Sequence, residues 1–119
     1  MKLAFILDPL DSIKTYKDSS YAMMAAAAKR GHRLAVLHQQ DLVWRDGRVR
    51  AATRSLELTG DAKHWHRLGE RQETSLVEFD FVLMRKDPPF DMEYVYSTYL
   101  LELAAAEGAR VVNRAGAIR

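Results

Sequence analysis

The sequence predicts an α/β fold: a small open sheet of largely parallel strands, with flanking helices and an inserted β-hairpin. Two short apolar runs, residues 3–7 and 33–37, enclose a helical pattern, which indicates a β-α-β unit. A third apolar run, residues 79–84, precedes a longer helical pattern. Between these parts, Asp46-Gly47 separates two short apolar-polar segments, which is the signal of a tight hairpin.

The β-α-β unit occupies the first third of the chain. Residues 3–7 are continuously apolar, as is typical of a strand covered on both faces. Asp18 or Ser19 can cap the following helix, and Gly31 can end it in the left-handed conformation. One face of that helix is apolar and carries Tyr21, Met24, Ala25 and Ala28. Because such crossovers are right-handed, we expect residues 33–37 to lie parallel to the first strand.

The middle of the chain is predicted to be an insertion into the sheet. The type I′ turn at Asp46-Gly47 would pair residues 42–45 with 48–51, and the alternating residues 55–58 extend this ribbon. Between residues 59 and 74 the pattern fades, so we expect a loop with a short helix at residues 62–68. The strand at residues 79–84 then ends in a turn that Pro88 and Pro89 stiffen, because each proline fixes a φ angle.

The second helix follows that turn. Asp91 can cap it, and Gly108 ends it before a final strand at residues 110–113. Its large apolar residues recur at helical spacing and predict one buried face, made of Met92, Val95, Tyr96, Tyr99, Leu100, Leu103 and Ala104. We expect Ser97 to point away from the core, and at least two of Tyr94, Tyr96 and Tyr99 to pack in it.

This topology brings polar residues from separate strands to one rim of the sheet. Side chains that follow three parallel strands would emerge together, namely Asp8, Arg85 with Lys86, and Asn113. The first helix points its amino end at the same rim, with Asp18, Ser19 and Ser20. Helix amino ends attract carboxylates, and arginine grips them in a two-pronged geometry. The rim therefore predicts a site for a small carboxylate-bearing ligand; the alternative is that Asp8 and Arg85 pair with each other or cap neighbouring turns.

Composition excludes several classes of function. The formal charge of +2 is small and the basic residues are not clustered, which argues against nucleic-acid binding. No apolar run approaches the ~20 residues that span a bilayer. The absence of cysteine fits the cytoplasm. No glycine motif that cradles phosphates is present, and His64 and His66 lack further residues at metal-ligand spacing, so we expect them to be surface or half-buried.

Several segments, taken in order, resemble the amino-terminal domain of bacterial glutathione synthetase, an ATP-grasp ligase. They are Lys2 to Pro9, Lys17 to Met23, Arg50 to Arg54, Met84 to Asp91, Tyr96 to Tyr99 and Val111 to Asn113. The resemblance implies a Rossmann-like, pre-ATP-grasp substrate domain over residues 1–119, with the ATP-grasp domains absent from this chain. It also implies that Arg85, Lys86, Asp18, Ser19, Ser20, Asp8 and Asn113 bind substrate, and that Pro88 and Pro89 hold the turn.

The same resemblance implies an activity for the full-length enzyme. Glutathione synthetases join γ-glutamylcysteine to glycine through an acyl phosphate formed with ATP and Mg²⁺, in glutathione biosynthesis. Their nucleotide- and metal-binding residues lie in later domains, so the isolated chain is expected to be inactive and to bind no ATP or Mg²⁺. As in the family, we expect a cytoplasmic homo-oligomer with small-molecule substrates and no nucleic-acid or membrane partner.

Two other functions stay open from the residues alone. The chain could be a stand-alone module that binds small acids or acidic peptides without catalysis. It could also be an interaction domain, in which apolar strand edges and the Asp46-Gly47 hairpin form an oligomer contact.

Overall fold

The computed structural model describes residues 1–10, 19–61, 64–85 and 92–113, without the side chains of Ser19, Glu93 and Asn113. In chain order the helices and strands are β1 Lys2–Ile6, α1 Ser19–Lys29, β2 Arg33–Leu37, β3 Leu42–Arg45, β4 Arg48–Leu58, β5 His66–Ser75, β6 Phe81–Met84, α2 Met92–Ala106 and β7 Val111–Asn113. Short 3₁₀ turns at Gln39–Asp41 and Leu76–Glu78 precede β3 and β6. None of the helices in this part of the chain is long and apolar enough to cross a membrane.

The strands form one sheet with a parallel half and an antiparallel half. The parallel half has the order β2-β1-β6-β7, in which each strand runs alongside its neighbour in the same direction. In the antiparallel half, β4 pairs with β2, β3 and β5. The predicted α/β fold class is therefore confirmed.

The insertion is larger than the predicted hairpin. Asp46 and Gly47 both have positive φ, 54° and 76°, as a type I′ turn requires. The predicted extension of the ribbon is confirmed, because β4 continues without interruption to Leu58.

The predicted loop is confirmed for residues 59–61 and 64–65, whereas the predicted short helix at residues 62–68 is wrong and the loop does not extend to residue 74. Residues 66–75 form β5, a mostly polar and exposed strand that pairs antiparallel with β4. Its sequence shows no apolar alternation because few of its side chains are buried. The pairing with β4, which the local sequence cannot reveal, makes it a strand. Residues 62 and 63 lie outside the described residues.

Each face of the sheet carries its own hydrophobic core. Alternate residues of β1 point to opposite faces, so Ala4 and Ile6 belong to one core and Leu3 and Phe5 to the other. The first core lies under α2, and the second lies under α1. In the second core, Trp65 packs its ring edge-on to that of Tyr21, with ring centroids 5.4 Å apart.

The apolar face of α1 is oriented as predicted. Met24 is fully buried, and Tyr21, Ala25 and Ala28 are partly buried. Gly31 follows the helix with φ of 84°, the left-handed conformation expected at a helix end. The amino end of α1 is thus fixed relative to the strands that α1 connects.

The predicted orientation of α2 is wrong. Of the seven residues assigned to its buried face, only Leu100 and Ala104 are buried. The face against the sheet instead contains Tyr94, Ser97, Thr98, Leu100, Leu101 and Ala104. Only Tyr94 of the three tyrosines lies in the core, and Ser97, which was expected to point outward, is 1% exposed. Apolar residues occur all around this helix, so the spacing of the larger ones did not identify the packed face.

Candidate functional site

The parallel strands end at a common rim, on which the candidate site lies. Ile6 of β1 is in register with Met84 of β6, and Met84 is in register with Asn113 of β7. Residues that follow these positions therefore leave the sheet side by side. In open α/β sheets this edge, at the carboxyl ends of the strands, is the one that binds ligands.

Arg85 is fixed at this rim by its backbone and its side chain. Its backbone N–H donates a hydrogen bond to the carbonyl of Ile6 at 2.9 Å, which continues the β1–β6 ladder by one residue. Its Nε donates to the hydroxyl oxygen of Ser20 at 3.2 Å. Ser20 is only 7% exposed, so this contact is shielded from solvent on the serine side. The guanidinium of Arg85 is consequently held next to the first turn of α1.

The amino end of α1 adds a positive potential at the same place. α1 begins at Ser19, and its first turn contains no acidic residue. The dipole of a helix favours an anion near its amino end. Among the described residues, the guanidinium of Arg85 therefore lies beside the positive end of a helix dipole.

Asp8 and His38 lie on the neighbouring part of the rim. Asp8 is half-buried and follows Leu7, whose N–H donates to the carbonyl of Leu37 at 3.0 Å. His38 follows β2 directly, and its Nδ1 donates to the carbonyl of Leu7 at 3.0 Å. His38 is not among the predicted site residues, although it follows the parallel strand β2 just as Asp8 follows β1 and Arg85 follows β6.

A cavity of about 360 Å³ opens beside His38 at the carboxyl end of β2. Its polar lining includes Arg54, Arg71 and Asp41. Arg71 donates from Nη2 to Asp41 at 2.9 Å, and Arg54 donates from Nε to the carbonyl of Gly69 at 2.8 Å. Two guanidinium groups and one carboxylate give the cavity a net positive lining, so the electropositive character extends beyond Arg85.

The structure brings some of the predicted site residues together and leaves others undescribed. Asp8, Ser20 and Arg85 share the rim, and Ser20 and Arg85 are in direct contact. For Ser19 and Asn113 only the backbone is described, and in both residues it lies at the rim. Four predicted residues lie outside the described residues: Asp18, Lys86, Pro88 and Pro89. The substrate-binding roles of the whole set stay predictions.

His64 lies in the β4–β5 connection, and His66 is the first residue of β5. His64 is exposed, whereas His66 is half-buried with its ring 4.5 Å from that of Trp65. Within residues 1–10, 19–61, 64–85 and 92–113, no group of three or more His, Cys, Asp or Glu side chains could hold a metal ion.

Comparison with known proteins gives a consistent result over the full length of the chain. The family model described as "Prokaryotic glutathione synthetase, N-terminal domain" matches residues 1–119. The chain is 59% identical to the glutathione synthetase of Nitrosomonas europaea over 123 aligned residues, and 50% identical to that of Pseudomonas putida over 119. Each alignment covers all of this chain and 38% of the relative, so the chain spans well under half of their length.

Proposed function

Because the chain belongs to the family of prokaryotic glutathione synthetase N-terminal domains, we propose that it forms part of the substrate site of such a ligase. The proposed reaction joins γ-glutamylcysteine to glycine at the expense of ATP. The observation that carries the assignment to this rim is the position of Arg85, fixed by Ser20 beside the amino end of α1. This position suits γ-glutamylcysteine, because the dipeptide carries carboxylates and its amino group is its only positive charge.

Arg85 is proposed to hold a carboxylate of γ-glutamylcysteine. The hydrogen bond from Nε to Ser20 orients the guanidinium, and a guanidinium can bind one carboxylate through two parallel hydrogen bonds. The first turn of α1 is proposed to add positive potential at the same group, and Lys86, the next residue in the sequence, is proposed to take part in the binding. The proposed role of these residues is to bind and orient the dipeptide, so that its cysteinyl carboxylate is presented in a defined position.

The chemical step requires groups that we assign to the rest of the enzyme. In the proposed reaction, the cysteinyl carboxylate attacks the terminal phosphorus of ATP, and ADP leaves. The amine of glycine then attacks the acyl phosphate, phosphate leaves, and the new amide carries the glycine. The described residues offer no metal-ligand cluster, and the sequence offers no phosphate-binding glycine motif, so they do not fit MgATP. No step through MgATP is therefore derived from this chain.

Substitution of Arg85 in the full-length enzyme tests the proposal. A lysine keeps the charge but cannot reproduce the two parallel hydrogen bonds, so Arg85→Lys should raise the KM for γ-glutamylcysteine roughly ten- to hundredfold. The KM for ATP should change little. Arg110→Lys is the matched control, because Arg110 lies just before β7, at the opposite end of that strand from the rim.

The kinetic pattern decides the outcome. An unchanged KM for γ-glutamylcysteine in Arg85→Lys, or an equal rise in Arg110→Lys, would show that Arg85 does not hold the dipeptide. Loss of the fold would be recognised separately, because it would lower activity with all three substrates and alter the circular dichroism spectrum.

A further inference from the structure

The cavity at the carboxyl end of β2 lies on the same side of the sheet as the contact between Arg85 and Ser20. Its apolar lining includes Leu10, Val36 and Leu68, which all belong to the core under α1. Ser20 lies in the first turn of α1, which packs on that core. A ligand on the α1 side of the rim can therefore contact both Arg85 and the cavity.

His38 offers one ring nitrogen to this cavity. Its ring lines the cavity, and its Nδ1 is 3.0 Å from the carbonyl oxygen of Leu7. Because a carbonyl oxygen only accepts, this bond assigns the hydrogen to Nδ1, and Nε2 of the neutral ring is left as an acceptor. Among the described residues, Nε2 has no hydrogen-bond partner. His38 can therefore accept a hydrogen bond from an N–H group of a ligand.

Arg54 supplies the positive charge that is not compensated within the cavity. Its Nε donates to the carbonyl of Gly69 at 2.8 Å, which orients the guanidinium. Arg71, the second arginine of the lining, is paired with Asp41, whose other oxygen accepts the backbone N–H of His38 at 2.8 Å. In the described part of the chain, no carboxylate is paired with Arg54. A carboxylate of a ligand could form that pair, through two parallel hydrogen bonds.

The cavity and Arg85 are separated by about the length of γ-glutamylcysteine. β2 and β6 are the two neighbours of β1, so their carboxyl ends lie two strand spacings apart, about 9.5 Å. In the dipeptide, about seven bonds join the two carboxyl carbons, and in an extended chain they span about 8 Å. The length of an arginine side chain can make up the difference. One extended dipeptide can therefore place a carboxylate at each of the two positions.

We propose that this cavity binds the glutamyl end of γ-glutamylcysteine. Arg54 holds the α-carboxylate, and Nε2 of His38 accepts a hydrogen bond from the α-ammonium group. The glutamyl end is chosen because it carries both an ammonium group and a carboxylate, for which the cavity offers an acceptor and a cation. The cysteinyl carboxylate then lies at Arg85. This assignment, which rests on the proposed ligase function, fixes the direction in which the dipeptide lies on the rim.

The position of β7 supports this direction. β7 lies beside β6, on the side of the sheet away from β2. In a family whose model describes an N-terminal domain, further chain follows β7, and the groups proposed to hold MgATP lie in that further chain. With the glutamyl end at β2, the cysteinyl carboxylate that is to be phosphorylated lies at the end of the rim nearer to those groups.

The distance from Arg85 argues against glycine as the occupant of the cavity. Glycine also carries a carboxylate and an amino group, but its nitrogen must come within about 3.5 Å of the cysteinyl carboxyl carbon to react. The cavity lies two strand spacings from Arg85, where that carbon is placed. A fully ionised phosphate group of ATP is disfavoured as well, because it has no hydrogen to donate to Nε2 of His38.

Two substrate analogues test the site in the full-length enzyme. γ-Aminobutyryl-cysteine lacks the glutamyl α-carboxylate, and glutaryl-cysteine lacks the α-amino group, whereas both keep the cysteinyl carboxylate that reacts. In the unaltered enzyme each analogue should lower kcat/KM roughly ten- to hundredfold, because a charged hydrogen-bonding group is missing. The ratio of kcat/KM for γ-glutamylcysteine to that for an analogue measures what the missing group contributes.

Substitution of Arg54 should remove the contribution of the α-carboxylate alone. Arg54→Met should lower kcat/KM for γ-glutamylcysteine roughly ten- to hundredfold, and γ-aminobutyryl-cysteine should then react about as well as γ-glutamylcysteine. The loss with glutaryl-cysteine should persist. Arg54→Lys is the second variant, in case Arg54→Met does not fold; it keeps the charge but not the two parallel hydrogen bonds, so its effects should be smaller.

Substitution of His38 should remove the contribution of the α-amino group alone. Asparagine can still donate to the carbonyl of Leu7, but it has no acceptor at the position of Nε2. In His38→Asn, glutaryl-cysteine should therefore react about as well as γ-glutamylcysteine, while the loss with γ-aminobutyryl-cysteine persists.

Arg48→Met is the control for these measurements. Arg48 is an exposed arginine at the first position of β4, about 20 Å along that strand from Arg54. Arg48→Met should change neither kcat/KM for γ-glutamylcysteine nor the ratios for the two analogues.

Two results would overturn the proposal. One is an Arg54→Met or Arg54→Lys enzyme in which both analogues lose the same factors as in the unaltered enzyme. The other is a rise in the KM for glycine or for ATP, with that for γ-glutamylcysteine unchanged, which would assign the cavity to a different substrate. Arg85→Lys separates this inference from the proposed function: a raised KM for γ-glutamylcysteine in Arg85→Lys, without the expected effects in Arg54→Met, would leave the role of Arg85 intact and exclude only the cavity. An unchanged KM in Arg85→Lys would count against the proposed role of Arg85 itself.

Discussion

At the scale of single residues, the contact between Arg85 and Ser20 joins two distant parts of the chain at one point. The two residues are 65 positions apart, and their side chains meet because β1 and β6 are neighbours and α1 follows β1. Ser20 acts in this site through Arg85, by orienting the guanidinium, and we therefore regard it as a positioning residue.

Substitution of Ser20 should weaken binding less than substitution of Arg85. Ser20→Ala removes the acceptor of Nε, so the guanidinium loses its fixed plane but keeps its charge. We expect the KM for γ-glutamylcysteine to rise about three- to tenfold, with kcat nearly unchanged. Ser55→Ala, at an exposed serine of β4, is the control and should leave KM as it is. If the two variants behave alike, the Ser20–Arg85 contact does not contribute to binding.

At the scale of secondary-structure elements, α2 is tied to the antiparallel half of the sheet by one hydrogen bond from the main chain. The N–H of Val49 in β4 donates to the carboxylate of Glu107, which follows the last residue of α2. Val49 itself is fully buried in the core under α2. The bond thus holds the end of the helix against β4.

The bond from Val49 to Glu107 should contribute measurably to stability. Glu107→Ala removes a charged acceptor, and we expect the free energy of unfolding to fall by about 1 kcal/mol. Glu107→Gln retains an acceptor oxygen and should recover part of that loss. Both values can be measured by urea denaturation at one protein concentration.

An exposed ion pair is the control for this measurement of the free energy of unfolding. Glu57 contacts Arg67 at 3.4 Å, and both side chains are largely exposed. Glu57→Ala should therefore cost less than about 0.5 kcal/mol. Equal losses in Glu57→Ala and Glu107→Ala would contradict a specific role for the bond to Val49.

At the scale of the whole molecule, each face of the sheet has its own core and its own helix. The core under α1 fixes the amino end of that helix, and so positions Ser20 at the rim. The core under α2 leaves the outer side of that helix apolar and exposed. The rim beside α1 and the exposed apolar side of α2 are therefore different surfaces of one domain.

The isolated 119-residue chain should bind the dipeptide without converting it. Mixed with γ-glutamylcysteine, glycine, ATP and Mg²⁺, it should release no ADP, because the groups proposed to hold MgATP lie elsewhere in the enzyme. γ-Glutamylcysteine alone, at about a hundred times its Kd, should stabilise the chain by about 2.7 kcal/mol. A thermal melt with and without the dipeptide measures this shift.

Two measurements test this expectation: the thermal melt tests binding of the dipeptide, and the ADP assay tests the lack of conversion. The stabilisation should shrink in Arg85→Lys and persist in Arg110→Lys. Release of ADP by the isolated chain would refute the expected inactivity. A melting temperature that the dipeptide does not change would instead count against the proposed binding site.

The sequence alone determined the elements whose signals are local. Residues 3–7 and 34–37 are apolar enough to predict covered strands, and the Asp46-Gly47 turn depends only on the φ angles of two residues. Because parallel strands of a crossover unit end at one edge, the rim could also be predicted, and with it the approximate positions of Asp8 and Arg85.

Only the tertiary structure decided the features that depend on distant partners. β5 is a strand because β4 supplies its hydrogen-bond partners, although its own residues are mostly polar. The buried side of α2 depends on how the helix is rotated against the sheet, so Tyr94 and Ser97 are inside while Tyr96 and Tyr99 are outside. Periodicity records which residues are apolar, whereas burial depends on the shape of the opposing surface, and no local sequence contains that shape.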